Sequence, residues 1–141
     1  MHTISERVLA ALNLTVDFYN HIYKSSLSLS ISNVPSNTIG EQAYCILGAR
    51  ESYLKALKNG AWDGFSCSLN EPYDKSLVVN KLEETTNNIQ SFLLETSIED
   101  INLNLLIDLL EHEVQHHGQL IRYSYANKLG FPKSWNVRYT V

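Results

Sequence analysis

Apolar residues recur at steps of three and four along four separate stretches of the chain. That spacing keeps side chains on one face of an α-helix. The stretches cover residues 5–25, 38–58, 73–94 and 100–128. Four long amphipathic segments predict an all-α protein, and their connected apolar faces favour a four-helix bundle built around one core.

Local signals predict where these helices begin. Thr38 is followed three residues later by Glu41, which matches a capping box and predicts the start of the second helix. Pro72 suits the first turn of the third helix, since a first-turn residue needs no backbone N–H. Ser97 and Asp100 are alternative caps for the fourth helix.

The connecting segments carry weaker patterns. Residues 27–31 alternate apolar and polar as a half-buried strand does, but no partner strand is visible, so a loop or a fraying helix end is predicted. Trp62 and Phe65 fall in the loop before Pro72, where aromatic side chains cap a core or line a cleft. The aromatic tail with Trp135 and Tyr139 is predicted to pack back on the helices.

Composition narrows the class of protein. A chain of 141 residues with 44% hydrophobic and 18% charged residues predicts a single globular domain spanning residues 1–141. The net charge of -4 and the lack of a Lys/Arg cluster argue against nucleic acid as a partner. Two cysteines make no disulfide framework, which favours a cytoplasmic setting. No apolar run approaches the ~20 residues that a membrane span needs.

Three of the five histidines lie within six residues of the fourth predicted helix. His112 and His116 continue its apolar stripe, one turn apart, and are predicted to face the interior. Two imidazoles in that arrangement can chelate one metal ion. The alternative is that both are buried and simply hydrogen-bonded within a helical core.

The segment from His112 to His116 also spells H-E-x-x-H, the zinc-peptidase motif in which Glu113 would activate a metal-bound water. Such an enzyme needs a third ligand, and no His, Asp or Glu follows His117. A peptidase is therefore disfavoured.

The second helix is the best source of a third ligand, because sites in bundle cores draw side chains from facing helices. Cys45 is the leading candidate, and a Cys-His-His set would leave an open position on a tetrahedral metal. Alternatively, Cys45 packs as a small hydrophobe. Gln42 and Arg50, about one turn to either side, are placed to orient a ligand or a bound anion.

Two motifs resemble those of the DinB/YfiT superfamily. One is His112-x-x-x-His116-His117-Gly118-Gln119-Leu120, and the other is the segment from Thr38 to Arg50. The resemblance implies a four-helix bundle, often dimeric, with a metal held by three histidines, two of them from an H-x-x-x-H motif. The first family histidine falls at Cys45, and His117 stands where an arginine is usual.

The resemblance also implies a function. Similar proteins are metal-dependent transferases or isomerases that use low-molecular-weight thiols. Carried over to this chain, Cys45, His112 and His116 would hold a divalent metal, zinc or nickel, and Glu113 or His117 would move a proton. The expected protein is then a cytoplasmic homodimer acting on a small-molecule thiol and an electrophile, as a transferase or a detoxifying hydrolase or isomerase. The alternative is a non-catalytic, metal-poor dimer that serves as a binding or stress-response protein.

Overall fold

The computed structural model describes residues 1–141 and contains helices but no strands. The prediction of an all-α protein is therefore confirmed. None of the helices combines the length and the apolar character needed to cross a membrane. The five α-helices are α1 (Thr3–His21), α2 (Ile39–Asn59), α3 (Lys75–Glu95), α4 (Leu103–Ala126) and α5 (Lys133–Tyr139), with short 3-10 turns at Lys24–Ser28 and Ile98–Asp100.

The four long helices pack in a closed ring. α1 packs against α3 and α4, and α2 packs against the same two helices, so the order around the ring is α1, α3, α2, α4. The short helix α5 packs on α1. Each long helix turns a row of apolar side chains inward, and burial of these rows is the main force that holds the helices together. Fully buried examples are Val8, Leu12, Phe18, Ile39, Ile46, Leu82, Ile89, Leu106, Leu109 and Leu120.

The predicted limits of α2 are confirmed. The Thr38 hydroxyl accepts a hydrogen bond from the Glu41 backbone N–H at 3.1 Å, and the Glu41 carboxylate accepts one from the Thr38 N–H at 3.1 Å. Both bonds satisfy amides that a helix start leaves free. At the other end, Gly60 adopts φ 85°, a left-handed conformation that glycine tolerates without strain.

Three other predicted limits were wrong. α1 ends at His21 rather than near residue 25, and a 3-10 turn follows. α3 begins at Lys75 because the Asp74 side chain caps it, so Pro72 lies before the helix. The side chain of Asn102 caps α4 by accepting from two backbone N–H groups, whereas the predicted caps Ser97 and Asp100 belong to the preceding 3-10 turn. At α3 and α4 a nearby capping side chain set the boundary, whereas α1 ends where Ile22 adopts an extended backbone conformation.

Gly48 allows the loop after α2 to pack closely on that helix. A Cβ atom at this position would lie 2.0 Å from the Phe65 ring. We therefore expect Gly48→Ala to displace the half-exposed Phe65 ring, and the lost contact to offset the gain of about 0.5–1 kcal/mol that alanine brings to a helix. Thermal unfolding followed by circular dichroism measures the change.

Gly118, within α4, is a matched control because a Cβ there would meet no atom within 4 Å. Gly118→Ala should raise stability by about 0.5–1 kcal/mol through helix propensity alone. Equal shifts of the same sign in both variants would contradict the packing of Phe65 on Gly48.

Candidate functional site

His112 and His116 face each other on α4. Their Nε2 atoms lie 3.3 Å apart. Two nitrogen ligands at about 2.0–2.1 Å from a tetrahedral metal lie roughly 3.3 Å from each other. The pair therefore has the spacing of two adjacent corners of a tetrahedral metal site.

Gln42 on α2 determines which nitrogen of His116 carries the proton. The Gln42 amide nitrogen donates to the side-chain oxygen of Asn37 at 2.9 Å, so the amide oxygen is the atom that faces His116. That oxygen lies 2.5 Å from His116 Nδ1, which must therefore donate. The Nε2 lone pair of His116 is left free towards His112, and this is the arrangement that outer hydrogen bonds impose on metal-binding histidines.

His112 has one ring nitrogen without a partner. Its Nδ1 atom is buried and makes no hydrogen bond. If His112 Nε2–H donates to His116, Nδ1 is a buried lone pair; if Nδ1 carries the proton, two Nε2 lone pairs face each other. With the proton on His112 Nε2, the buried Nδ1 acceptor is unsatisfied. With the proton on Nδ1, that buried donor is unsatisfied instead. In this second state a shared cation would accommodate the two facing Nε2 lone pairs. The two histidines could thus supply two of the ligands of a metal ion.

Cys45, the predicted third ligand, is half-buried on α2. Burial raises the pKa of its thiol, and the nearby charge of Glu41 raises it further, so the thiol is the favoured form. No hydrogen bond joins Cys45 to either histidine, and no three His, Cys, Asp or Glu side chains form a group suited to a metal ion. The structure thus unites His112 and His116, while the role of Cys45 remains a prediction.

Glu113 forms a fully buried ion pair with Arg50 of α2. Both side chains are completely shielded from solvent, and Arg50 Nη2 lies 2.5 Å from Glu113 Oε2. The Arg50 Nε–H is 3.2 Å from each carboxylate oxygen. The other guanidinium protons go to α1 and α3, where the acceptors are the carbonyl oxygens of Leu12 and Leu82 and the hydroxyls of Thr85 and Thr86. One guanidinium group thereby links all four long helices.

His117 continues this network to α5. Because the Glu113 carboxylate only accepts, the Thr15 hydroxyl donates to it at 2.5 Å and must accept from His117 Nε2–H at 2.7 Å. His117 Nδ1 is then an acceptor, and the Tyr139 hydroxyl donates to it at 2.6 Å. These hydrogen bonds all donate in one direction, from Tyr139 to His117, from His117 to Thr15 and from Thr15 to Glu113. The imidazole of His117 is neutral.

The surroundings hold these groups in the charge states that the network requires. Burial alone would raise the pKa of Glu113, but the charge and hydrogen bonds of Arg50, with His117 and Thr15, lower it below its ordinary value. Burial lowers the pKa of His117 to about 4, and burial together with the neighbouring His112 lowers that of His116 to about 4. At neutral pH the carboxylate is charged and both imidazoles are neutral.

These contacts give Glu113 and His117 a structural function. Neither side chain is exposed, and both are fully engaged in hydrogen bonds that join helices. The predicted proton transfer by Glu113 or His117 remains a prediction, and the Glu113 side chain is completely shielded from solvent. Arg50, predicted to orient a ligand or a bound anion, is instead paired with Glu113, and the sequence pattern did not predict this pairing. The missed signal is the inward row at steps of three and four on α4, which reads Leu106, Leu109, Glu113, His116, Leu120.

The two lowered histidine pKa values predict a loss of stability in mild acid. In the unfolded chain, His116 and His117 bind protons as the pH falls through 6.5, the ordinary pKa of histidine. In the folded protein their pKa values are about 4, so both imidazoles stay neutral down to about that pH. Protons that bind only the unfolded chain favour unfolding. The stability that the two neutral imidazoles contribute is therefore complete above pH 6.5 and decreases towards pH 4. Urea unfolding midpoints measured between pH 7 and about 5 should therefore fall.

A variant separates these histidines from general acid effects. His117→Asn should be less stable at neutral pH but should lose less further stability on acidification. The exposed His21 provides the matched control, and His21→Asn should keep the steeper dependence. An unchanged slope in the His117 variant would contradict its buried, neutral state.

A comparison of the chain with protein-family models gives no match, and a search of curated proteins gives none either.

Proposed function

We propose that the protein is a metal-dependent enzyme of the DinB type, a thiol-using transferase or a detoxifying hydrolase or isomerase. The observation that carries the proposal is the 3.3 Å separation of the His112 and His116 Nε2 atoms. The contact from Gln42 to His116 Nδ1 supports it, because this contact directs the other nitrogen of His116 towards the proposed metal. Zinc and nickel are the proposed metals, since both accept imidazole and thiolate ligands.

In this proposal each residue has a separate task. His112 and His116 hold the metal, Gln42 orients His116, and Cys45 is the proposed third ligand from α2. A bound divalent cation lowers the pKa of a coordinated thiol, which makes a thiolate available for attack on an electrophile at neutral pH. The buried pair of Arg50 and Glu113 fixes α4 against α2 and so maintains the position of the histidines.

We further propose that the four long helices form a DinB-like four-helix bundle, in one domain spanning residues 1–141. The closed ring of α1, α3, α2 and α4 supports this proposal. The two free cysteines, Cys45 and Cys67, support a cytoplasmic location because a reducing compartment keeps thiols unpaired.

Metal analysis tests the proposed site. We expect purified protein incubated with zinc or nickel and then desalted to retain about one metal ion per chain, measured by elemental analysis. His112→Ala and His116→Ala should each abolish retention, and Gln42→Ala should weaken metal affinity about 10–100-fold because it frees the His116 ring.

The control is His21→Ala, which removes an exposed histidine of α1 and should leave metal retention unchanged. Cys45→Ala tests the third ligand: loss of the metal would support Cys45, and retention would assign that position to another group. Failure of the unsubstituted protein to retain either metal would contradict the enzymatic proposal.

A non-catalytic dimeric binding or stress-response protein is the second candidate. The bonds of His116 to Gln42 and His112 hold both rings in place without a cation, which favours this alternative. A homodimer, for either candidate, is supported by two exposed apolar side chains one turn apart on α4: Leu103 is 43% exposed and Ile107 39% exposed. Light scattering that gives the monomer mass of 16.0 kDa would contradict the dimer.

A further inference from the structure

The other side of α4 faces a cavity. A cavity of about 110 Å³ opens between α1, α4 and α5. Its α4 wall is formed by Leu110 and Val114, which lie roughly opposite His112 and His116 because each residue advances about 100° around a helix. The cavity is thus separate from the proposed metal site.

Two arginines that form no ion pair line this cavity. Arg7 of α1 and Arg138 of α5 are exposed, and neither forms an ion pair or a side-chain hydrogen bond. The charges of both arginines act on the Tyr139 hydroxyl, which lies in the same cavity. Burial raises the pKa of this hydroxyl, and the charges of Arg138 and Arg7 oppose that rise. The Arg138 guanidinium also lies 5.1 Å from the centre of the Tyr139 ring, so the ring supports that side chain.

No acidic residue lines the cavity to balance these charges. Glu113 also acts on Tyr139, but its carboxylate is already paired with Arg50. The Tyr139 hydroxyl donates its proton to His117, so its oxygen offers only lone pairs to the cavity. The two guanidinium groups are therefore the donors available to a ligand, and guanidinium groups bind carboxylates in bidentate fashion.

The rest of the lining is apolar. Two alanines of α1 leave room for the cavity, and larger aliphatic side chains of α1 and α4 form its walls. These residues are Ala10, Ala11, Leu14, Leu110 and Val114. A dry cavity of about 150 Å³ can hold a benzene molecule, so this smaller cavity has room for a short alkyl chain. Inorganic phosphate would leave oxygens unsatisfied against these walls, which favours an anion with an aliphatic part.

We propose that this cavity binds a small aliphatic carboxylate, with its carboxylate between Arg7 and Arg138 and its alkyl chain against Ala10, Ala11 and Leu14. The ligand joins α1, α4 and α5, so binding also holds the short helix α5 in place. The site requires no metal and is independent of the function proposed for the histidine pair.

The proposal is tested by titrating the protein with sodium butyrate at constant ionic strength. Amide nitrogen–proton NMR spectra monitor the binding. We expect saturable shifts confined to α1, α4 and α5, with the millimolar affinity usual for so small a ligand. Arg7→Gln and Arg138→Gln should each weaken binding about tenfold, since each removes one charge-assisted contact. Arg122→Gln is the matched control, because Arg122 is an exposed arginine of α4 outside this cavity, and it should bind as the unsubstituted protein does.

Two further ligands test the chemistry. Butyramide has the same shape without the charge and should cause no saturable shift at the same concentrations. Inorganic phosphate should bind more weakly than butyrate, because it makes no use of the apolar wall. Phosphate binding that equals or exceeds that of butyrate, equal binding of butyramide, or full binding in both the Arg7 and Arg138 variants would overturn the proposal. Both variants change exposed side chains, and their unchanged NMR spectra elsewhere would verify the fold.

Discussion

Replacement of Arg50 by methionine will lower the free energy of unfolding by about 3–5 kcal/mol, because it leaves the carboxylate of Glu113 buried without its counter-charge. The loss also removes the hydrogen bonds from α2 to the carbonyl oxygens of Leu12 and Leu82. Urea unfolding followed by circular dichroism measures the change. A stability close to that of the unsubstituted protein would show that the pair is not buried as described.

The double variant Arg50→Met with Glu113→Leu separates the ion pair from the packing around it. Removing both charges relieves the buried carboxylate, so the double variant should recover about 2 kcal/mol or more relative to Arg50→Met. Recovery will be incomplete because the buried Thr15 hydroxyl loses Glu113 as its acceptor. A double variant as unstable as the single one would assign the loss to packing instead of charge.

The exposed pair of Lys55 and Asp63 is the control for a salt bridge in water. The two groups are 2.9 Å apart, and both side chains are largely exposed. Solvent and salt screen such a pair, so Lys55→Met should leave the unfolding midpoint unchanged. A large effect of Arg50→Met beside no effect of Lys55→Met would show that burial makes the first pair essential.

Trp135→Ala has the second large expected effect, a loss of about 3–5 kcal/mol. The indole is fully buried and packs on Phe18 of α1 and on His117 of α4, with ring centres 5.1 and 4.8 Å away. Its Nε1–H donates to the Leu14 carbonyl oxygen at 2.6 Å. A helix as short as α5 has little stability of its own, so loss of this anchor should also release α5. Hydrogen exchange of the α5 amides, measured beside urea unfolding, reports that release.

Two variants serve as controls for Trp135. Trp135→Phe keeps most of the buried ring but loses the hydrogen bond, so it should cost clearly less than alanine. Trp62→Ala removes the other tryptophan, which is 47% exposed in the loop after α2, and should cost less still. Equal losses at Trp62 and Trp135 would contradict the role of Trp135 as the anchor of α5.

The long helices could be predicted because their signals are local. Apolar steps of three and four set the inward rows, and Thr38 with Glu41 placed the start of α2 within a single turn of chain. The spacing of His112 and His116 likewise placed them one turn apart on one face of α4. The proposal that this pair holds a metal ion is carried by the 3.3 Å separation of the two Nε2 atoms.

The buried network depended on tertiary structure. Arg50 and Glu113 are 63 residues apart, and although Glu113 falls in the inward row of α4, that row does not indicate which residue pairs with it. Only the packing of α2 against α4, with α1 and α3 alongside, brings a carboxylate, a guanidinium and their acceptors together. The cavity between Arg7 and Arg138 has the same origin, since its walls come from opposite ends of the chain.

By itself, then, the sequence determined the helical class, most of the inward rows and the two facing histidines, because these follow from spacing within one helix. Tertiary structure decided which polar side chains are satisfied in the interior, because a buried charge is stable only where distant helices supply its partners. That is why Glu113, predicted to transfer protons, is found bound to Arg50, and why His117 links Thr15 to Tyr139.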